Sequence, residues 1–126
     1  MHNVNCYCCS GKLFEDCCNL LLCGIIGAST AEELMRSRYS AFATQHADYL
    51  MRTTHFSTRK NHNSDDIMEW SVSNKWLQLE VLNASETRVE FKAHYQDTAG
   101  EKYVHHEFST FKKEDGNWFY VDGLFL

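Results

Sequence analysis

Proline is missing from the chain altogether, and cysteine is missing from everything after residue 23. No internal repeat, charge block or low-complexity stretch is present either, which excludes a repeat array or a proline-rich linker as the basis of the architecture. The longest apolar run, LLLCGII at 20–26, is far too short to span a bilayer and contains a glycine. It has no basic flank and no cleavage site in signal-peptide position, so a cytoplasmic location is expected. The formal net charge of −5 leaves no basic excess for sequence-independent phosphate contacts, so non-specific nucleic-acid binding is not expected. No Ser-His-Asp order, phosphate-binding glycine loop or H-E-x-x-H pair stands out, and so no reaction class is signalled by a catalytic signature.

What is present begins with six cysteines, Cys6, Cys8, Cys9, Cys17, Cys18 and Cys23. Their confinement to the N-terminus separates a cysteine module, residues 1–24, from a cysteine-free domain, residues 25–126. At 126 residues the chain has the size of one domain, able to bury roughly two-thirds of its unfolded surface. In a reducing compartment such a cluster is more often metal-binding or catalytic than cross-linked. C-x-C and vicinal C-C spacings also place neighbours too close for unstrained disulfides. Cys6, Cys8, Cys17 and Cys18 form C-x-C-x8-C-C, and four thiolates suit a closed tetrahedral site. Zinc is the first choice of ion and iron the second, and a site with no open position is structural by default. Gly11 allows a tight turn, and LFED is long enough for one helical turn that returns the second pair to the first. Buried free thiols and a redox couple are the alternatives. Cys9 and Cys23 are surplus; burial as a small hydrophobe is expected of each, with a ligand competing with Cys8 or Cys18, or a reactive thiol, as the alternatives.

Beyond the glycine-bearing connector CGIIGAS, Thr30 with Glu33 forms a capping box, and Met35, Tyr39 and Phe42 at i, i+4 and i+7 give an apolar helical face. A second helix is expected over 46–54, a polar loop over 55–66, and a third helix over 64–76 with Ser64 or Asp65 as cap and Ile67, Met68 and Trp70 buried. The period then changes to two. Strands are expected at 77–82, with Leu77, Leu79 and Val81 on one face, at 88–95, with Val89, Phe91, Ala93 and Tyr95 on one face, at 101–113 and at 118–126. Helices followed by strands give an α+β class, with helices on one face of a curved antiparallel sheet of about four strands.

The stretch CYCCSGKLFEDCC resembles the SEC-C motif, the metal-binding tail known from the SecA translocation ATPase. TAEELMRSRYSAFATQHADYLMRTTH resembles the YchJ-like family of small bacterial proteins, and the similarity continues through KWLQLEV, VEFKAHY, HHEFSTF and EDGNWFYVDG. The resemblance implies a SEC-C module fused to a nuclear transport factor 2-like cone in the bacterial cytosol. It implies no activity. The chain departs from the family pattern with Tyr7 in place of proline and Cys9 in place of glycine. Family members often add a second SEC-C copy at the C-terminus, whereas this sequence stops at Leu126.

Three functions follow as expectations. In the first, the protein is a non-catalytic adaptor: a zinc-ordered turn holds Lys12, Leu13 and Phe14 outward for a protein partner, which analogy with other SEC-C carriers places in the translation, secretion or chaperone machinery. In the second, the cone binds or converts a small molecule, with Arg38 anchoring an anionic group. Its candidate cavity residues are Arg38, Tyr39, Asp48, Tyr49, His55, Trp70, His106 and Tyr120, with His94, His105, Glu107 and Asp122 also ionisable on the strands. A histidine and carboxylate pair there suits acid and base work, with a tyrosine as donor. In the third, Cys9 or Cys23 senses redox state. Against the second stand simpler roles: Arg36 and Arg38 as partners of Glu32, Glu33 or Asp48, the aromatics as core, His55 as a cap on preceding carbonyls, and His94 on the polar face. His105 and His106 are adjacent in a strand, so at most one faces a cavity. The oligomeric state is expected to be a monomer or a homodimer.

Overall fold

The structure, a computed structural model, describes residues 4–126 and has the expected α+β architecture. Its helices are α1 (Cys18–Leu22), α2 (Ala31–Thr44), α3 (Ala47–Arg52), α4 (Phe56–Arg59) and α5 (Ser64–Ser73). The strands β1 (Lys75–Ala84), β2 (Arg88–Gln96), β3 (Lys102–Glu114) and β4 (Asn117–Phe125) form an antiparallel meander in sequence order.

Helix α2 starts where the capping box places it. The Thr30 hydroxyl accepts from the Glu33 amide at 3.1 Å, and the Glu33 carboxylate accepts from the Ser29 amide, one residue earlier than the simplest box. The helix stops at Gln45, whose φ of 66° reverses the chain into α3. Met35 and Tyr39 of its apolar face are buried, and Phe42 is partly so.

The 55–66 stretch is more ordered than its polarity suggests. It contains α4, and Asn63 rather than Ser64 or Asp65 caps α5, accepting from the amides of Asp65 and Asp66. On α5 only Ser71 is fully buried, and the helix packs against α2 and α3. Met68 and Trp70 keep 37% and 38% of their surface exposed.

Strand alternation holds on β2, where Val89, Phe91 and Ala93 are buried. On β1 an irregularity between Trp76 and Gln78 shifts the phase. Leu77 therefore faces solvent, and Trp76 takes the inward place expected of it. Register fixes the concave face: Ala93 opposes His105, Phe91 opposes Glu107 and Val89 opposes Ser109. Cys6, Cys8, Cys18, Leu21 and Leu22 join the same buried cluster as Leu34, Leu50 and Phe111.

Candidate metal centre and cavity

The N-terminal segment is a short hairpin closed by a turn. The Cys6 amide donates to the Lys12 carbonyl at 2.8 Å, and Asn5 bridges Leu13. Gly11, at φ 87°, supplies the left-handed residue that the turn requires. A 3-10 turn, Phe14–Asp16, then lifts Cys17 and Cys18 back towards Cys6 and Cys8.

The four sulfurs lie within 4.8 Å of one another, and the Cys8 and Cys17 sulfurs are 3.8 Å apart. Zinc–sulfur bonds of about 2.3 Å in a tetrahedron give sulfur–sulfur edges of about 3.8 Å. The residues fit a tetrathiolate ion. Hydrogen bonds from Cys18 and Cys8 pull the Cys6 thiol downward, whereas Cys6, Cys8 and burial push Cys18 upward. Four thiolates this close repel one another, and a divalent cation held between them would offset that repulsion. Helix α2 supports the site, with Arg36 Nη1 donating to the Cys8 carbonyl at 2.7 Å and the Ser40 hydroxyl 3.7 Å from the Cys6 sulfur.

The surplus cysteines are not buried, contrary to expectation. Cys9 and Cys23 are both exposed, Cys9 at the outside of the turn and Cys23 at the end of α1. Cys9 also has φ 63°, a region that costs a side-chain-bearing residue about 1–2 kcal/mol. Cys9→Gly should accordingly raise stability by about 1 kcal/mol in urea unfolding of the metal-loaded protein, and a loss of stability would show that the Cys9 sulfur contributes more than its weak contact with the Leu79 amide.

Of Lys12, Leu13 and Phe14, only Lys12 is fully exposed. Phe14 turns inward, stacks edge-on against Tyr7 at 5.2 Å and packs on the core. A ring this apolar gains more from that burial than from display.

Between α2, α5 and the concave sheet lies a cavity of about 370 Å³. Of the candidate cavity residues, Arg38, Tyr39, Trp70 and Tyr120 line it. Phe42, Trp70 and Trp76 form one wall, with ring centres 4.9–5.4 Å apart. Opposite, Glu107 is buried and accepts from Tyr120 at 2.8 Å and from Ser109 at 2.5 Å, with His105 Nε2 at 2.7 Å. Burial raises the Glu107 pKa, but the hydrogen bonds from His105, Ser109 and Tyr120 outweigh it and hold the carboxyl below its ordinary value. Burial raises Tyr120, with Glu107 adding to the effect.

Four expected cavity residues lie elsewhere. His106 points to the convex face and pairs with Glu90 at 2.8 Å, because Ala93, Phe91 and their partners His105 and Glu107 own the inner face. His55 is buried, but it caps the start of α4 rather than the end of α3 and reaches Glu114 at 3.2 Å. Tyr49 is buried behind α2, where its hydroxyl meets that of Ser37 at 2.7 Å. Asp48 is exposed on the first turn of α3. Arg36 does pair with Glu32, whereas Arg38 pairs with no carboxylate among the described residues. His94 lies on the polar face beside Glu80 as expected. Asp122 is exposed in mid-strand.

The importance of Glu107 is hidden in the sequence, since its partners come from Ser109 two residues on and Tyr120 across a hairpin. One signal exists: a Cβ on Gly123 would stand 2.7 Å from Glu107 Cγ, so the glycine makes room for the carboxyl.

No described helix is long and apolar enough to cross a membrane. The family described as the YchJ middle NTF2-like domain matches residues 30–123. A UPF0225 protein of Geobacter sulfurreducens is 42% identical over 125 residues, covering 94% of this chain and 77% of that one. A UPF0225 protein of Polaromonas naphthalenivorans is 43% identical over 115 residues, covering 87% and 80%. The solution structure of a SEC-C motif containing protein from Rhodopseudomonas palustris is similar at TM-score 0.88 and 37% identity, covering 98% of this chain and 99% of that one. A SEC-C motif containing protein from Psychrobacter arcticus is similar at TM-score 0.78 and 33% identity, covering 90% and 72%. Sheet, helices and cysteine cluster together with these similarities place the chain in the YchJ-like, UPF0225 family, as an NTF2-like cone bearing a SEC-C-type cluster able to hold a metal ion.

Proposed function

We propose that this protein binds a small organic molecule in its cone, and that a zinc ion on Cys6, Cys8, Cys17 and Cys18 fixes the N-terminal segment against it. Residues 1–24 act as the metal module and residues 25–126 as the cone, in the cytoplasm. One observation carries the binding role. The cavity is open, and it joins an aromatic wall to convergent polar groups, Arg38 and the Glu107, Tyr120 and His105 cluster. A cone that served only as a scaffold would gain stability by filling that space with side chains. The metal site supports a structural role because its sulfurs belong to the common core.

A protein partner in translation, secretion or chaperone machinery is the second reading. It now rests on Lys12 and on the SEC-C resemblance, since Phe14 is packed inward.

Screening the full chain against a general fragment library, with the Trp70 and Trp76 indole N–H signals as reporters, tests the first reading. Hits should shift those signals, and Ala93→Phe, which fills the cavity from its floor, should abolish them. A library with no hit, or hits indifferent to Ala93→Phe in a folded variant, would overturn the small-molecule role.

A further inference from the structure

We infer that the cavity takes a small planar organic acid, its carboxylate held by the free edge of the Arg38 guanidinium and its apolar body laid against Trp70 and Trp76. The inference rests on the small-molecule role proposed above and adds to it the chemistry of the ligand.

Arg38 rises from the middle of α2, and its plane is fixed. Nη1 donates to the Leu50 carbonyl at 3.0 Å, to Thr53 Oγ1 at 2.8 Å and to Thr54 Oγ1 at 3.3 Å. The Tyr120 ring lies under the guanidinium carbon at 4.4 Å. Nε and Nη2 have no partner among the described residues, and neither is sealed away from open space. Those two N–H groups are the edge of the fork that meets a carboxylate in a bidentate pair.

The charge of Glu107 acts on Arg38 across the cavity, but no carboxylate pairs with the guanidinium directly among the described residues. Glu107 is taken up by Ser109, Tyr120 and His105 and forms no ion pair with Arg38. Asp66 is exposed at the mouth, where solvent and salt screen it. His62, also at the mouth, is pushed downward by burial and by the Arg38 charge, away from its protonated form. Burial lowers Arg38 to about 10, which leaves it charged. A half-buried guanidinium with two idle donors and no directly paired carboxylate is a costly arrangement, and a bound anion offsets it.

The body of the ligand follows from the walls. Phe42, Trp70 and Trp76 present ring surface rather than hydrogen-bonding groups, since the Trp76 indole N–H is already given to the Ser71 carbonyl at 3.2 Å. A volume of about 370 Å³ lies at the small end of ligand pockets, suited to one or two fused rings.

The probes are 2-naphthoate and its neutral isostere 2-naphthamide, titrated calorimetrically into the metal-loaded full chain at pH 7. The acid should bind at least about tenfold more tightly than the amide, the scale of one charge-assisted pair. Arg38→Gln should remove that preference and leave amide affinity within about twofold. Equal binding of acid and amide to the unsubstituted protein would overturn the anion assignment while leaving the cavity role intact. If neither probe binds although fragments bind in the cavity, this inference alone falls; if no fragment binds either, both fall. Should Arg38→Gln fail to fold, the acid-to-amide ratio of the unsubstituted protein decides.

Discussion

Chelating the metal from the purified protein is expected to lower its thermal midpoint by about 12 °C. Cys6, Cys8 and Cys18 are among the most buried side chains, and they share a core with Leu21, Leu34 and Leu50. Without the ion, four thiols compete for protons in a space that one divalent charge would organise. The hairpin and α1, too short to bury a core of their own, lose their anchor. A loss of about 3 kcal/mol is well below the roughly 10–16 kcal/mol that zinc supplies to domains it folds outright, since the cone keeps its own core here. It converts at about 4 °C per kcal/mol for a chain of this length. Cys18→Ser should reproduce the loss and halve or abolish metal content by mass spectrometry. The double variant Cys9→Ser, Cys23→Ser should keep the full complement, because both residues are exposed and neither sulfur belongs to the four-cysteine group. An unchanged midpoint after complete chelation would remove the structural role of the ion.

The second large effect is expected at Gly123. A methyl there would crowd the Glu107 carboxyl, whose carbon Cδ lies only 2.5 Å from where the new carbon would stand. Gly123→Ala must therefore push Glu107 off Tyr120, Ser109 and His105, leaving a buried carboxylate and its donors poorly paired. The cost should be about 2–3 kcal/mol in urea unfolding. If the variant is as stable as the parent, the carboxyl cluster is not a fixed feature of the fold.

The same cluster has a pH signature. Burial alone would raise the Glu107 pKa, and its hydrogen bonds reverse the sign, so the folded value lies below the unfolded one. A depressed carboxyl contributes stability that is fully present above the unfolded value, near 4.3, and lost as pH falls through the folded value. Glu107→Gln keeps the shape without the ionisation. Its stability should fall less steeply than the parent's below about pH 4.5, and parallel acid limbs would show that Glu107 does not contribute.

How much of this is readable in the sequence depends on whether a signal is local. Helix α2 and strand β2 announce themselves through short-range periodicity, Met35, Tyr39 and Phe42 in one case and Val89, Phe91 and Ala93 in the other. The four clustered cysteines are readable because a turn and a single helical turn are all that separate the two pairs. Leu77 defeats the alternation because one irregularity in β1 reverses which face a residue occupies, and nothing in LQLEVL marks it. His106 and His105 cannot be told apart without a phase; only the pairing of β2 with β3 settles which of the two adjacent histidines looks inward. The cavity chemistry is the least readable part. Arg38 and Glu107 are far apart in the chain, and their roles depend on Thr53, Thr54, Ser109 and Tyr120, none of which forms a motif with either.

The link between the end of α3 and strand β4 bears on how this sheet avoids growing. Thr54 bridges Tyr120 in parallel, the Tyr120 amide donates to the Thr53 carbonyl at 2.8 Å, and the His55 amide donates to the Tyr120 carbonyl at 2.8 Å. Thr58 then donates its hydroxyl to the Val121 carbonyl at 2.8 Å. One border of the meander is thus already occupied by the protein's own chain, and at the other border β1 is broken by two register shifts. Strand addition from another molecule, the first step towards ordered aggregates, finds no long straight template on either side among the described residues.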